Sequence, residues 1–156
     1  MICTAVGAAF SSVLKARCRQ LRGVISIIDD MSAKIRYRAV ALPQLMTELS
    51  ETGAHRDSVF LKRVCGLMKQ GRTVQEAWTE TAHTVPFLSE SDREILADTG
   101  ARLGDSDTGG QLSMLSLTAD MLSRSLCEAE KECTGRAGAL FKVWVLCGIG
   151  AGIVII

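Results

Sequence analysis

Proline and aromatic residues are scarce in this chain: two prolines and seven aromatic side chains serve 156 residues. Runs of β-branched residues are few as well. These absences argue against a sheet and favour helices. An excess of one charge is also lacking, since 18 Lys and Arg face 17 Asp and Glu for a net charge of +1. That balance gives no whole-chain signal for nucleic acid. The six cysteines, Cys3, Cys18, Cys65, Cys127, Cys133 and Cys147, include no CxxC pair. Neither His55 nor His83 stands at finger-like spacing from them, which argues against a zinc site. Small thiols in a reducing compartment are the expected reading.

Catalytic signatures are missing too. Gly109-Gly110 has no P-loop Lys-Ser/Thr after it, and no serine sits in a nucleophile elbow. Asp105 and Asp107 begin like a calcium loop, but the bidentate acid such a loop requires is absent. His55 and His83 read as solvated loop residues. No catalytic, cofactor-binding or metal residue is assigned, and a non-enzymatic chain is expected.

What is present is a globular composition, 47% hydrophobic and 22% charged, at the length of one domain. The charge is unevenly placed. Residues 15–38 carry seven basic and two acidic side chains, whereas residues 73–132 carry twelve acidic and four basic. Both ends are uncharged. Residues 1–14 hold no charge and are followed at once by Lys15, Arg17, Arg19 and Arg22. Residues 143–156 are likewise uncharged, and residues 137–156 contain only Lys142.

Twenty residues of helix span about 30 Å, the thickness of a bilayer core. A transmembrane helix is expected over 137–156, with Lys142 and Trp144 near its boundary. The alternative is a core helix that ends the domain. Residues 1–15 are expected to form an N-terminal membrane anchor. Its uncharged part spans only about 21 Å as a helix, so an interfacial segment is the alternative. The basic flanks place residues 16–136 in the cytoplasm. The run Lys15–Arg22 is read as a headgroup contact rather than a nucleic-acid site. Gly148 and Gly152 form a GxxxG pattern that lets a second helix approach closely in lipid; tolerated glycine is an equal reading.

The middle reads as about six helices. Leu21, Ile25, Ile28, Met31 and Ile35 recur at helical spacing in the first, with Asp29 and Asp30 on its solvated face. Pro43 suits the first turn of a second helix, which buries Leu42, Leu45, Met46 and Leu49 and runs to about Glu51. A third spans about 57–70 and ends at Gly71. Thr73 and Glu76 form a capping box for a fourth, with Val74, Ala77, Trp78 and Ala82 inside. Ser89 or Ser91 caps a fifth, in which Ile95, Leu96 and Leu103 face inward. The polar turn from Gly104 to Gln111 precedes a sixth helix carrying Leu112, Leu115, Ala119, Leu122 and Leu126. Short links between successive helices imply an all-α bundle.

The order of these features resembles the stage III sporulation protein AB family. The carrying residues are Lys15-Ala16-Arg17 after a short apolar start, Ile35-Arg36-Tyr37 followed by Leu42-Pro43, and Ala77-Trp78. Most specific is the turn Leu103-Gly104-Asp105-Ser106-Asp107 leading to Gly110-Gln111 and a long helix. The resemblance runs from about Leu14 to Ile156. Where the family usually has an acidic residue before Tyr37 and a glycine after it, this chain has Lys34 and Arg38.

The resemblance implies a helical domain similar to the cytoplasmic domain of the type II secretion F protein, flanked by two membrane helices. It implies a non-enzymatic platform in the mother-cell membrane facing the forespore, needed at the engulfment stage. Its partners would be other stage III channel proteins and a secretion-type ATPase, with oligomerisation left open. A general secretion platform and a soluble helical adaptor are the alternatives.

Overall fold

The computed structural model describes the backbone of residues 2–38, 40–51 and 53–154, and the side chains of residues 12–38, 40–51 and 53–133. Among the described residues all regular structure is helical. Six helices follow in order: α1 (Ile2–Tyr37), α2 (Leu42–Glu51), α3 (Val59–Lys69), α4 (Val74–Thr84), α5 (Glu90–Ala101) and α6 (Thr108–Val154).

The two long helices form the spine. Cys18 of α1 lies against Cys133 of α6, and Arg22 reaches Glu130. Numbers rise along one helix as they fall along the other, so α1 and α6 run antiparallel. α1 is one uninterrupted helix from Ile2 to Tyr37. Its buried stripe, Leu14, Cys18, Leu21, Val24, Ile28 and Met31, starts before the basic run Lys15–Arg22 begins. Ile25 and Ile35, expected on that face, are half-buried at its margins.

The shorter helices pack as sequential neighbours, with α2 against α1 and α5 against α6. Their ends follow local chemistry. Thr73 and Glu76 make the expected capping box, and Ser89 and Asp92 make a second one at α5. Gly71 ends α3 with a φ of +90°, a conformation that glycine adopts without steric cost.

The α4–α5 pair is locked by Trp78. Its indole Nε1 donates to the Leu96 carbonyl at 3.0 Å, and its ring meets Phe60 edge-on at 4.8 Å. Gly100 makes this seat possible, because a Cβ there would stand 2.2 Å from the indole Cδ1. Burying such a side chain contributes roughly 2–3 kcal/mol. Thr99 and Thr118 join α5 to α6 at 2.9 Å.

Three expectations differ from the structure. His55 is not solvated: it is 4% exposed, and its Nε2 lies 2.6 Å from Asp30 Oδ2, tying the α2–α3 turn to α1. His83 is exposed but lies on α4, not in a loop. The polar turn is shorter than expected, because α6 begins at Thr108 and takes Gly109-Gly110 into its first turn. Lys34 and Arg38, the residues that depart from the family pattern, both reach Glu48 Oε2 of α2, at 3.1 and 3.8 Å.

Among the described residues no helix is long and apolar enough to cross a membrane. The side chains on which the expected flanking membrane helices rest, residues 1–11 and 137–156 with Gly148 and Gly152, lie outside the described residues.

Candidate functional site

The turn from Leu103 to Asp107, with the first residues of α6, sits at one pole of the bundle. Leu103 is fully buried, and its carbonyl accepts a 2.5 Å hydrogen bond from Gln75 Nε2 of α4. Gly104 has a φ of +89°, and a Cβ there would stand 3.1 Å from Leu42 Cδ1. Asp107 then caps α6: its Oδ1 accepts from Gly110 N–H at 3.1 Å and its carbonyl from Gln111 N–H at 2.9 Å. A Cβ at Gly110 would collide with Ser106 at 2.9 Å. Asp105 and Ser106 are left exposed at the tip.

This geometry gathers segments that are far apart in the chain. Leu42 at the start of α2 touches Gly104, and Gln75, three residues before Trp78, holds Leu103. The turn is therefore a folded, anchored corner that presents acidic and hydroxyl groups outward. Among the described residues no group of His, Cys, Asp and Glu could hold a metal ion.

The opposite pole lies some 25 residues along α6, or about 38 Å. There the α1–α6 crossing forms an open groove of about 540 Å³, lined by Lys15, Cys18, Arg19, Arg22, Glu130 and Cys133. The four basic residues of this run do not act alike. Arg17 turns inward, donating to Asp92 Oδ2 at 2.8 and 3.1 Å and to Ser89 Oγ at 3.2 Å. It is a structural residue of the bundle, not the headgroup contact expected for it. Arg22 meets Glu130, so Lys15 and Arg19 alone in this run have no acidic partner among the described residues. Burial pushes the Cys18 thiol above its ordinary value, with the neighbouring Cys133 adding to the effect.

A model of the stage III sporulation protein AB family matches residues 1–156. The chain belongs to that family. A solved structure named Stage III sporulation protein AB (SpoIIIAB) shares its fold with a TM-score of 0.57 at 24% identity, covering 76% of this chain and 97% of its own. Among curated proteins no match was found. Family membership gives the chain a sporulation-associated role, and the family is one of structural and assembly proteins, not a known enzyme family.

The sequence singled out the corner Leu103, Gly104, Asp105, Ser106, Asp107, Gly110 and Gln111, and the structure shows it as one folded unit. The Arg17–Asp92 contact escaped sequence reading. The two residues are 75 positions apart, and an acid in the first turn of a helix is accounted for locally by the helix dipole. The only available signal was the early start of the apolar stripe at Leu14, which places Arg17 beside the core.

Proposed function

We propose that this chain is a membrane-anchored structural component of the channel complex between mother cell and forespore. Its central domain lies in the mother-cell cytoplasm and acts there as an assembly platform. The observation that carries this reading is the antiparallel crossing of α1 and α6. Because Cys18 faces Cys133, the uncharged start of α1 and the uncharged end of α6 both continue from the same pole of the bundle. Two uncharged helical segments leaving one pole, with Lys15 and Arg19 at their base, fit a pair of helices entering one bilayer from its cytoplasmic face. Gly148 and Gly152 would permit close helix packing within it.

The other pole then faces away from the membrane. It presents Asp105 and Ser106 on a fixed corner, a surface suited to a basic face of a partner. Other stage III sporulation proteins and a secretion-type ATPase are the proposed partners, by the likeness to the type II secretion F protein.

A topology measurement tests the anchoring. Cys127 is exposed on α6. In a full-length variant whose other cysteines are replaced by serine, it should resist a membrane-impermeant maleimide in intact cells and react after lysis. A tag after Ile156 should be reached from outside the mother-cell membrane. Recovery of the full chain in the supernatant without detergent, or both sites on one side, would refute the reading. Crosslinking at Asp105 in sporulating cells should capture a stage III partner.

A further inference from the structure

We infer that the groove between α1 and α6 seats the phosphate of an anionic phospholipid headgroup. The inference rests on the membrane-anchored reading above and adds a specific ligand to it. Lys15, Arg19 and Arg22 are spaced four and three residues apart, so they share one face of α1 and line the groove together. Glu130, the acid on the far wall, is engaged by Arg22 at 2.5 Å, which offsets its repulsion toward an anion. Lys15 and Arg19 are exposed and have no acidic partner among the described residues. Two cations are thus left for a ligand.

The remaining lining is the thiol pair Cys18 and Cys133. Burial favours the neutral Cys18 thiol, so this wall brings no competing negative charge. The groove is open to one side and holds no buried donor able to strip water from a small free anion. Weak, additive attraction of about 1 kcal/mol per cation suits a ligand held at high local concentration in a membrane. The position agrees, because Leu14, the residue before Lys15, ends the uncharged segment along which acyl chains would lie.

The test uses the full-length protein in bilayers of phosphatidylcholine containing a minority of phosphatidylglycerol. After mild detergent extraction, retained phosphatidylglycerol is counted by native mass spectrometry. The double variant K15Q/R19Q should lose retention on the order of twentyfold, from about fivefold per cation. The variant R63Q, which removes an exposed cation on α3, should retain the lipid as the parent does. Excess inorganic phosphate should leave retention unchanged.

Equal retention by K15Q/R19Q, or an equal loss in R63Q, would overturn the inference. Displacement by inorganic phosphate would overturn the lipid assignment in favour of a free anion. A chain that never enters the bilayer defeats the anchored reading and this one with it. A chain that enters and holds no phosphatidylglycerol defeats this one alone.

Discussion

Asp92, in the first turn of α5, has no exposed surface, and its Oδ2 is held by the Arg17 guanidinium of α1 at 2.8 and 3.1 Å. The same oxygen accepts the Ser89 backbone N–H at 3.2 Å, closing the capping box. One carboxylate thus joins the cap of α5 to the spine, with Ser125 of α6 alongside it.

Acid should release this junction. Burial alone would push the Asp92 carboxyl up. The hydrogen bonds from Ser89, Arg17 and Ser125, with the Arg17 charge, outweigh burial and hold it below its ordinary value. A group depressed in the folded state contributes stability above its unfolded pKa of about 3.9, and that contribution fades as pH falls through the folded value. Urea midpoints of the parent should therefore fall below about pH 4. Asp92→Asn should flatten that fall and be less stable at neutral pH by about 2–3 kcal/mol, because Arg17 loses its counter-charge. A parent-like acid slope in Asp92→Asn would show that other carboxylates govern it.

Gly100 and the open helical glycines should respond oppositely to alanine. A Cβ at Gly100 would overlap Trp78 Cδ1 and Cγ at 2.2 and 2.9 Å, and the indole is fixed by Leu96 and Phe60. Gly100→Ala should cost about 2–3 kcal/mol. Gly23 and Gly66 have nothing within 4 Å of a built Cβ, so alanine there should add about 0.5–1 kcal/mol. Denaturant midpoints of the three variants, compared at constant m-value, check the opposite signs.

Two left-handed glycines separate backbone strain from packing. Gly71 and Gly104 have φ of +90° and +89°, but only Gly104 has neighbours, at 3.1 and 3.3 Å. Gly71→Ala should cost about 1–2 kcal/mol from conformation alone. Gly104→Ala should cost more, since Leu42 and Gln75 must also shift. Equal losses in the two variants would mean that the corner absorbs a methyl group freely.

Phe87 carries strain that a different residue would relieve. It has a φ of +66° and is 48% exposed, in a loop whose neighbours Val85 and Leu88 are buried. A bulky aromatic in that region costs about 1–2 kcal/mol, whereas asparagine tolerates it better. Phe87→Asn should raise stability by about 0.5–1 kcal/mol in thermal or urea melts. A loss of that size would show that the ring packs more than its exposure indicates.

Features set by near neighbours in the chain were legible before folding. The Thr73–Glu76 box, the stop at Gly71 and the buried face of α4 each depend on residues within a turn or two. The corner from Leu103 to Gln111 was also visible, because glycine, acid and hydroxyl residues at fixed offsets mark a helix-to-helix turn. Contacts between distant segments were not. His55 looked solvated because it stands in a loop, and its partner Asp30 is 25 positions away on a face read as water-facing. Arg17 looked like one more member of a basic run, although its three neighbours in the run meet different surroundings. Gly100 gave no sign of its role, since a glycine inside a helix announces a close approach without naming what approaches.

The reach of the α1 stripe back to Leu14 decides where scissors can be applied. A shortened version meant for crystals without detergent must keep Leu14, Arg17 and Cys18, or α5 loses the guanidinium that closes its cap. On the other strand of the spine it must keep Ala129 and Glu130. Trimming at the visible edge of the positive charge, after Arg22, would leave a fragment with an open seam down its longest side.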